Sequence, residues 1–133
     1  MSDQSLRGFL RTLEAAGELH RVTREVDPKF ELGAVLALKD RGPALLFEAV
    51  TGSAMPVAGN LLVSRARFAR AFGVTRDALD AHCLKALAQP VKPVLVGDAP
   101  VQAVVHDTDL DIGKLLPVPH WFEREAAPYI TAG

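Results

Sequence analysis

The 133-residue chain sets 15 Lys and Arg against 16 Asp and Glu, a net charge of −1, so no overall field draws it to nucleic acid or to an anionic membrane. A composition that is 49% hydrophobic and 23% charged excludes an intrinsically disordered chain and allows one domain with its own core. The single cysteine, Cys83, excludes an intrachain disulfide, reads as a small buried apolar residue and fits a reducing, cytoplasmic setting.

The start of the chain has no long apolar run behind basic residues, and nowhere do about 18 apolar residues follow one another, so neither a signal peptide nor a membrane span is expected. Leu6, Phe9, Leu10 and Leu13 recur at helical spacing behind Ser5, a good N-cap, and Gly17 offers a left-handed stop, which predicts a first helix. Leu19 to Val26, with its β-branched Val22 and Thr23, reads as a half-buried strand. Asp27-Pro28 predicts the opening of a second helix, running to about Lys39, because aspartate accepts from first-turn amides and proline needs no amide partner there. Gly33 inside that helix costs about 1 kcal/mol relative to alanine, which points to a neighbour packed close against it.

After the turn Asp40-Arg41-Gly42-Pro43, the apolar run Ala44-Leu45-Leu46-Phe47 predicts a central strand covered on both faces, and Pro56 to Val63 predicts another. Ser64 can cap a helix carrying Ala66, Phe68, Ala69 and Phe72 up to Gly73, and a further helix from about Arg76 to Ala88 stops before Pro90. Val94-Leu95-Val96 and Gln102 to His106 are the next strand candidates, on either side of a Gly97-Asp98-Ala99-Pro100 turn. Pro117, Pro119 and Pro128 preclude a long helix beyond them, so Val118 to Gly133 reads as extended chain. Its Trp121, Phe122, Tyr129 and Ile130 follow neither the helical nor the strand period and are expected to pack on a partner. Together these elements predict an α/β fold, a mixed sheet flanked by helices.

Candidate chemistry is sparse. Asp107-Thr108-Asp109-Leu110-Asp111 spaces its carboxylates as a calcium loop does, yet Ile112 and Val118 stand where such a loop needs glycine and a bidentate glutamate, so a turn capping a short helix near Ile112 to Leu115 is the better account. His120, Glu123 and Glu125 combine imidazole and carboxylates as a metal or acid/base cluster would, but Glu123-Arg124-Glu125 also has the alternation of a solvated or salt-bridged loop. Arg65, Arg67, Arg70 and Arg76 read as a solvated helix face rather than a phosphate site, and His20, His82 and His106 as ordinary surface or hydrogen-bonded residues. The chain has no glycine-rich nucleotide loop, nucleophile elbow or Cys-x-x-Cys pattern.

Several blocks, in order, resemble the start of the UbiD decarboxylase family. They are Ser5-Leu6-Arg7-Gly8-Phe9-Leu10 with Leu13-Glu14 and Gly17-Glu18-Leu19, Glu25-Val26-Asp27-Pro28, Gly42-Pro43-Ala44-Leu45-Leu46-Phe47-Glu48, Pro56-Val57-Ala58-Gly59-Asn60-Leu61 and Arg67-Phe68-Ala69-Arg70-Ala71-Phe72-Gly73. Asp109 to Leu116 and the passage from Pro117 through Glu123-Arg124-Glu125 to Pro128-Tyr129-Ile130-Thr131-Ala132-Gly133 resemble the family's entry into its flavin domain. The resemblance implies an N-terminal α/β domain over residues 1–117 and, over residues 118–133, an extended connector with the first strand of a flavin-binding split β-barrel that is missing here. A C-terminal α/β domain that commonly dimerises would follow.

The same resemblance implies an enzyme that decarboxylates aromatic, heteroaromatic or α,β-unsaturated acids reversibly. Its cofactors would be prenylated FMN, supplied by a flavin prenyltransferase, with Mn2+ and K+, and the assembly would be a cytoplasmic homo-oligomer. The family's metal-holding and proton-handling residues would lie beyond Gly133, leaving no catalytic residue and no metal ligand in this chain, which is then expected to be inactive alone and to bind no cofactor. Only Thr131 aligns with a position that approaches the cofactor, and a β-branched residue chosen for strand packing would equally explain it. Ala126-Ala127 departs from the Asp-Gly or Ala-Gly of relatives. Two readings stay open: a fragment or separately encoded subunit of the decarboxylase, whose remainder is its partner, or a stand-alone binding or regulatory subunit that kept the fold. A small hydrolase lacks a nucleophile motif.

Overall fold

The computed structural model describes residues 5–131. Helix α1, Leu6–Ala15, begins where Ser5 Oγ accepts from the Gly8 amide at 3.0 Å and gives way at Gly17, whose φ of 69° suits glycine. It buries Leu13 and leads into β1, Leu19–Val22. Helix α2, Glu31–Leu38, then carries the chain over to β2, Ala44–Phe47, which pairs parallel with β1, Leu19 opposite Ala44 and Val22 opposite Phe47. Parallel neighbours need such a crossover, since no tight turn can reverse the chain twice. Strand β3, Val57–Gly59, pairs antiparallel with the other edge of β2, so the mixed sheet has the order β1-β2-β3 with the most apolar strand in its centre.

The core lies between this sheet and α2. Leu32 and Leu36 descend onto Val26, Leu45, Phe47 and Val50, and Val22, Val35, Val57 and Trp121 close the margin. A Cβ at Gly59 would stand 2.4 Å from Leu36 Cδ2, so the helix can lie this close to β3 only because residue 59 has no side chain. Helix α3, Arg65–Phe72, capped by Ser64 and stopped by Gly73 at φ 68°, packs with α4, Leu79–Ala88, and α5, Ile112–Leu115, is a single turn capped by Asp111.

One charged side chain ties the layers together. Arg67 is 7% exposed; its guanidinium donates to Gly42 O at 2.6 Å and Asn60 O at 2.7 Å and lies 3.5 Å from the Glu18 carboxylate. Asn60, at φ 54°, turns the chain out of β3 and donates its side-chain amide to Leu36 O and Lys39 O, carbonyls at the end of α2 that also accept from the Lys39 and Gly42 amides. Arg70, a turn along α3, reaches the other oxygen of Glu18 at 2.9 Å.

The expected mixed α/β sheet is present, with differences that have local causes. β1 stops at Val22, though Val26 still makes a parallel bridge to Val50. α2 opens at Glu31 rather than at Pro28, because residues 28–30 pair with His120 instead. β3 ends at Gly59, where Asn60 turns away, and α4 opens at Leu79 after a turn. Val94-Leu95-Val96 and Gln102 to His106 are not strands: no described segment pairs with them, and a 3₁₀ turn at Pro100–Gln102 breaks into the second run. Arg67 leaves the solvated face expected for its cluster because its acceptors face inward, and Cys83 is only half-buried. Trp121, expected on a partner, packs against this domain's own core.

Phe47 is fully buried in the central strand, so Phe47→Ala should cost about 3–5 kcal/mol in urea unfolding, and unchanged stability would contradict this packing. Arg67→Met, similar in bulk, should cost about 2–4 kcal/mol by stranding the Gly42 and Asn60 carbonyls. Arg76→Met on the exposed side should stay within about 0.5 kcal/mol, and equal effects of the two would deny Arg67 its role.

Candidate functional site

The approach to α2 is conformationally costly. Asp27 Oδ1 accepts from the Lys29 amide at 2.7 Å, and Phe30 follows at φ 67°, a left-handed conformation that disfavours a bulky side chain by about 1–3 kcal/mol. It is held locally by the Glu31 amide, which donates to Lys29 O at 2.8 Å, and from afar by the segment at His120. Phe30 N donates to His120 O at 2.8 Å, His120 N donates to Pro28 O at 3.1 Å, and the imidazole lies against the Phe30 ring with centroids 4.8 Å apart. Lys29 Nζ approaches the same ring, 5.4 Å from its centroid. Glu31 completes the turn: the Asp27 amide and then the Arg24 guanidinium donate to its carboxylate and hold it below the usual range.

The next residue fills the gap that Gly33 leaves. A Cβ at residue 33 would stand 3.0 Å from Trp121 Cε3 and 3.5 Å from the Trp121 carbonyl oxygen, so the indole lies directly on the helix backbone. Glu125 then folds back, its Oε2 accepting from the amides of Trp121 at 2.8 Å and Phe122 at 3.2 Å, while Glu125 N donates to Phe122 O at 3.1 Å. Residues 117–121 and Glu125 are half-buried, whereas residues 126–131 are exposed.

Between α2, β3 and this returning segment opens an apolar cleft of about 500 Å³, lined chiefly by Leu36, Val57, Gly59, Trp121 and Phe122, with Asn60 and Asp40 at its polar edge. A flavin mononucleotide needs cationic or amide donors for its phosphate. Among the described residues the only charged side chain lining this cleft is the carboxylate of Asp40, and the Asn60 amide is already engaged by Leu36 O and Lys39 O, so these residues do not fit that group. Nor do the described residues fit a divalent metal, since they include no group of three or more His, Cys, Asp or Glu side chains that could hold one.

The candidates read from the sequence separate accordingly. Thr131 is exposed and joins no strand among the described residues. His120, Glu123 and Glu125 come near one another only as a backbone-bound turn: His120 Nε2 lies 3.4 Å from the Glu125 carbonyl, Glu125 serves two amides, and Glu123 is exposed. Asp111 caps α5 and is held below the usual carboxylate range chiefly by its contact with Lys114. His82 packs on Phe72 with centroids 5.2 Å apart, and His20 and His106 are exposed. Among the described residues no helix is long and apolar enough to cross a membrane. The left-handed Phe30 and its bond to His120 had no signal in the sequence; the mid-helix Gly33 was the one clue to Trp121.

The family model of the 3-octaprenyl-4-hydroxybenzoate carboxy-lyase N-terminal domain matches residues 10–87. Among solved structures, an evolved dimeric form of the UbiD-class enzyme HmfF from Pelotomaculum thermopropionicum, in complex with prFMN, superposes with a TM-score of 0.91 at 39% identity, over 98% of this chain and 31% of that one. The vanillic acid decarboxylase of Sedimentibacter hydroxybenzoicus gives a TM-score of 0.76 at 27% identity, over 92% of this chain and 28% of its own. The 3,4-dihydroxybenzoic acid decarboxylase of Klebsiella pneumoniae gives 0.73 at 27%, over 90% and 28%. The chain thus spans about a third or less of the length of the enzymes it matches.

Trp121 is the sole tryptophan, so its emission reports the contact with α2 directly. Gly33→Val should displace the indole, shift the emission to the red and cost about 1–3 kcal/mol of stability. Emission identical to that of the parent chain would show that the indole does not rest on residue 33.

Proposed function

The chain belongs to the UbiD family, as the N-terminal domain of that family, and on this premise we propose that it is the scaffold domain of a UbiD-class carboxy-lyase using prenylated FMN. The observation that carries this reading is the 39% identity, over 98% of the chain, to an enzyme that holds prFMN. Removing carbon dioxide from an aromatic acid leaves an electron pair on carbon, which needs an electron sink and a proton donor. The described residues group no side chains for either task. Their part is structural: a sheet and helix that hold the segment leading to the rest of the enzyme.

The substrate class is an aromatic, heteroaromatic or α,β-unsaturated acid, in keeping with relatives that decarboxylate vanillic and 3,4-dihydroxybenzoic acids. Residues 1–117 form the scaffold and residues 118–133 the connector that brings Thr131 towards the flavin. The complete enzyme is a cytoplasmic homo-oligomer that takes Mn2+ and K+ as well as the flavin, the latter made by a flavin prenyltransferase. The exposed apolar residues of the 91–105 stretch, Leu95 fully so, support a docking role, since apolar surface left in water marks a contact with another module.

The test is to produce the complete protein in cells that make prenylated FMN, beside residues 1–133 alone, and to assay carbon dioxide release from a panel of these acids. The complete protein should carry flavin and release carbon dioxide, and the shorter chain should do neither. Turnover by residues 1–133 alone would overturn the scaffold role, and a complete protein inert towards the whole panel would favour a non-catalytic subunit.

A further inference from the structure

Resting on the carboxy-lyase reading, we infer that Glu125 is a positioning residue, which closes the turn after Trp121 and so sets the direction in which the chain leaves the domain. The segment is held at three successive levels. His120 is knit by two main-chain hydrogen bonds to residues 28–30, Trp121 lies on Gly33, and the Glu125 carboxylate takes the amides of both Trp121 and Phe122. Among the described residues Glu125 is the last that is half-buried, and everything from residue 126 to residue 131 is exposed.

This geometry has a consequence for assembly. Six residues, 126 to 131, reach at most about 20 Å even when fully extended. Whatever module receives Thr131 must therefore come within that reach of the Trp121 turn at the start of α2. A carboxylate bonded to two amides is a strong, charge-assisted anchor, and an amide in its place keeps the shape while losing the charge. Glu123, two residues earlier in the same turn, is exposed and serves as the neighbouring control.

The experiment uses the complete carboxy-lyase, with Glu125→Gln, Glu125→Ala and Glu123→Gln compared by amide hydrogen exchange and by steady-state kinetics. Glu125→Gln should speed exchange at the Trp121 and Phe122 amides by about tenfold and lower kcat by a similar factor with KM little changed, and Glu125→Ala should do more of both. Glu123→Gln should match the parent in both measurements. Unchanged exchange and kinetics in the Glu125 variants would overturn the inference, as would equal losses in Glu123→Gln. Faster exchange with kcat intact would make Glu125 a local turn residue only and would overturn it too. A parent protein without turnover would instead count against the carboxy-lyase reading, and the exchange data would still decide the role of Glu125.

Discussion

Two main-chain hydrogen bonds between His120 and residues 28–30 join the last part of the chain to the entrance of α2, and much else is arranged around that junction. The left-handed Phe30 is tolerable because its amide has a partner and its ring a neighbour. The late start of α2 follows, since backbone committed to pairing with His120 cannot also wind into the helix. Gly33 then sits where Trp121 must pass, and Gly59 sits where Leu36 must pass, so one helix is flanked on two sides by contacts that a single methyl group would disturb. The cleft beside it exists only because the returning segment is held there.

The energetics show a domain whose core is small and whose apolar surface is not all covered. Val26, Leu32, Leu45 and Phe47 are buried between α2 and the sheet, while Leu84 and Leu87 on α4 and the valines of the 91–105 stretch stand in water. A unit of this kind gains stability when a second module covers such residues, because each buried aliphatic side chain contributes on the order of 1.5–3 kcal/mol. Scaffold and docking surface are in that sense one property. The Arg67 network complements the core by joining α3 to the end of α2 through carbonyls rather than through apolar packing, with directional bonds that fix one arrangement of the layers.

Local chemistry was the part of this fold that the sequence made legible. Ser5 with Gly17 and Ser64 with Gly73 mark helix ends through side-chain and backbone preferences that act over a few residues, and the short apolar run Ala44 to Phe47 after a Gly-Pro turn has the pattern of a covered strand. Phe30, Arg67 and Trp121 were hidden because partners far away in sequence decide them: His120 for Phe30, Gly42 and Asn60 for Arg67, Gly33 for Trp121. Val94-Leu95-Val96 has the composition of a strand without a strand beside it among the described residues, and propensity alone cannot supply the pairing. The candidate site was half visible: the acidic and imidazole groups of the turn were noticed as chemistry, yet their work is to bind backbone.

The most direct measurement of the central claim, that this domain itself anchors the departing segment, is residue-resolved amide hydrogen exchange on the isolated 133-residue chain. The amides of Phe30, His120 and Trp121 should be protected alongside those of α2, while residues 126–131 exchange as open chain. Exchange at His120 and Trp121 as fast as at residues 126–131 would show that the anchor forms only when another module is present, and would contradict the account.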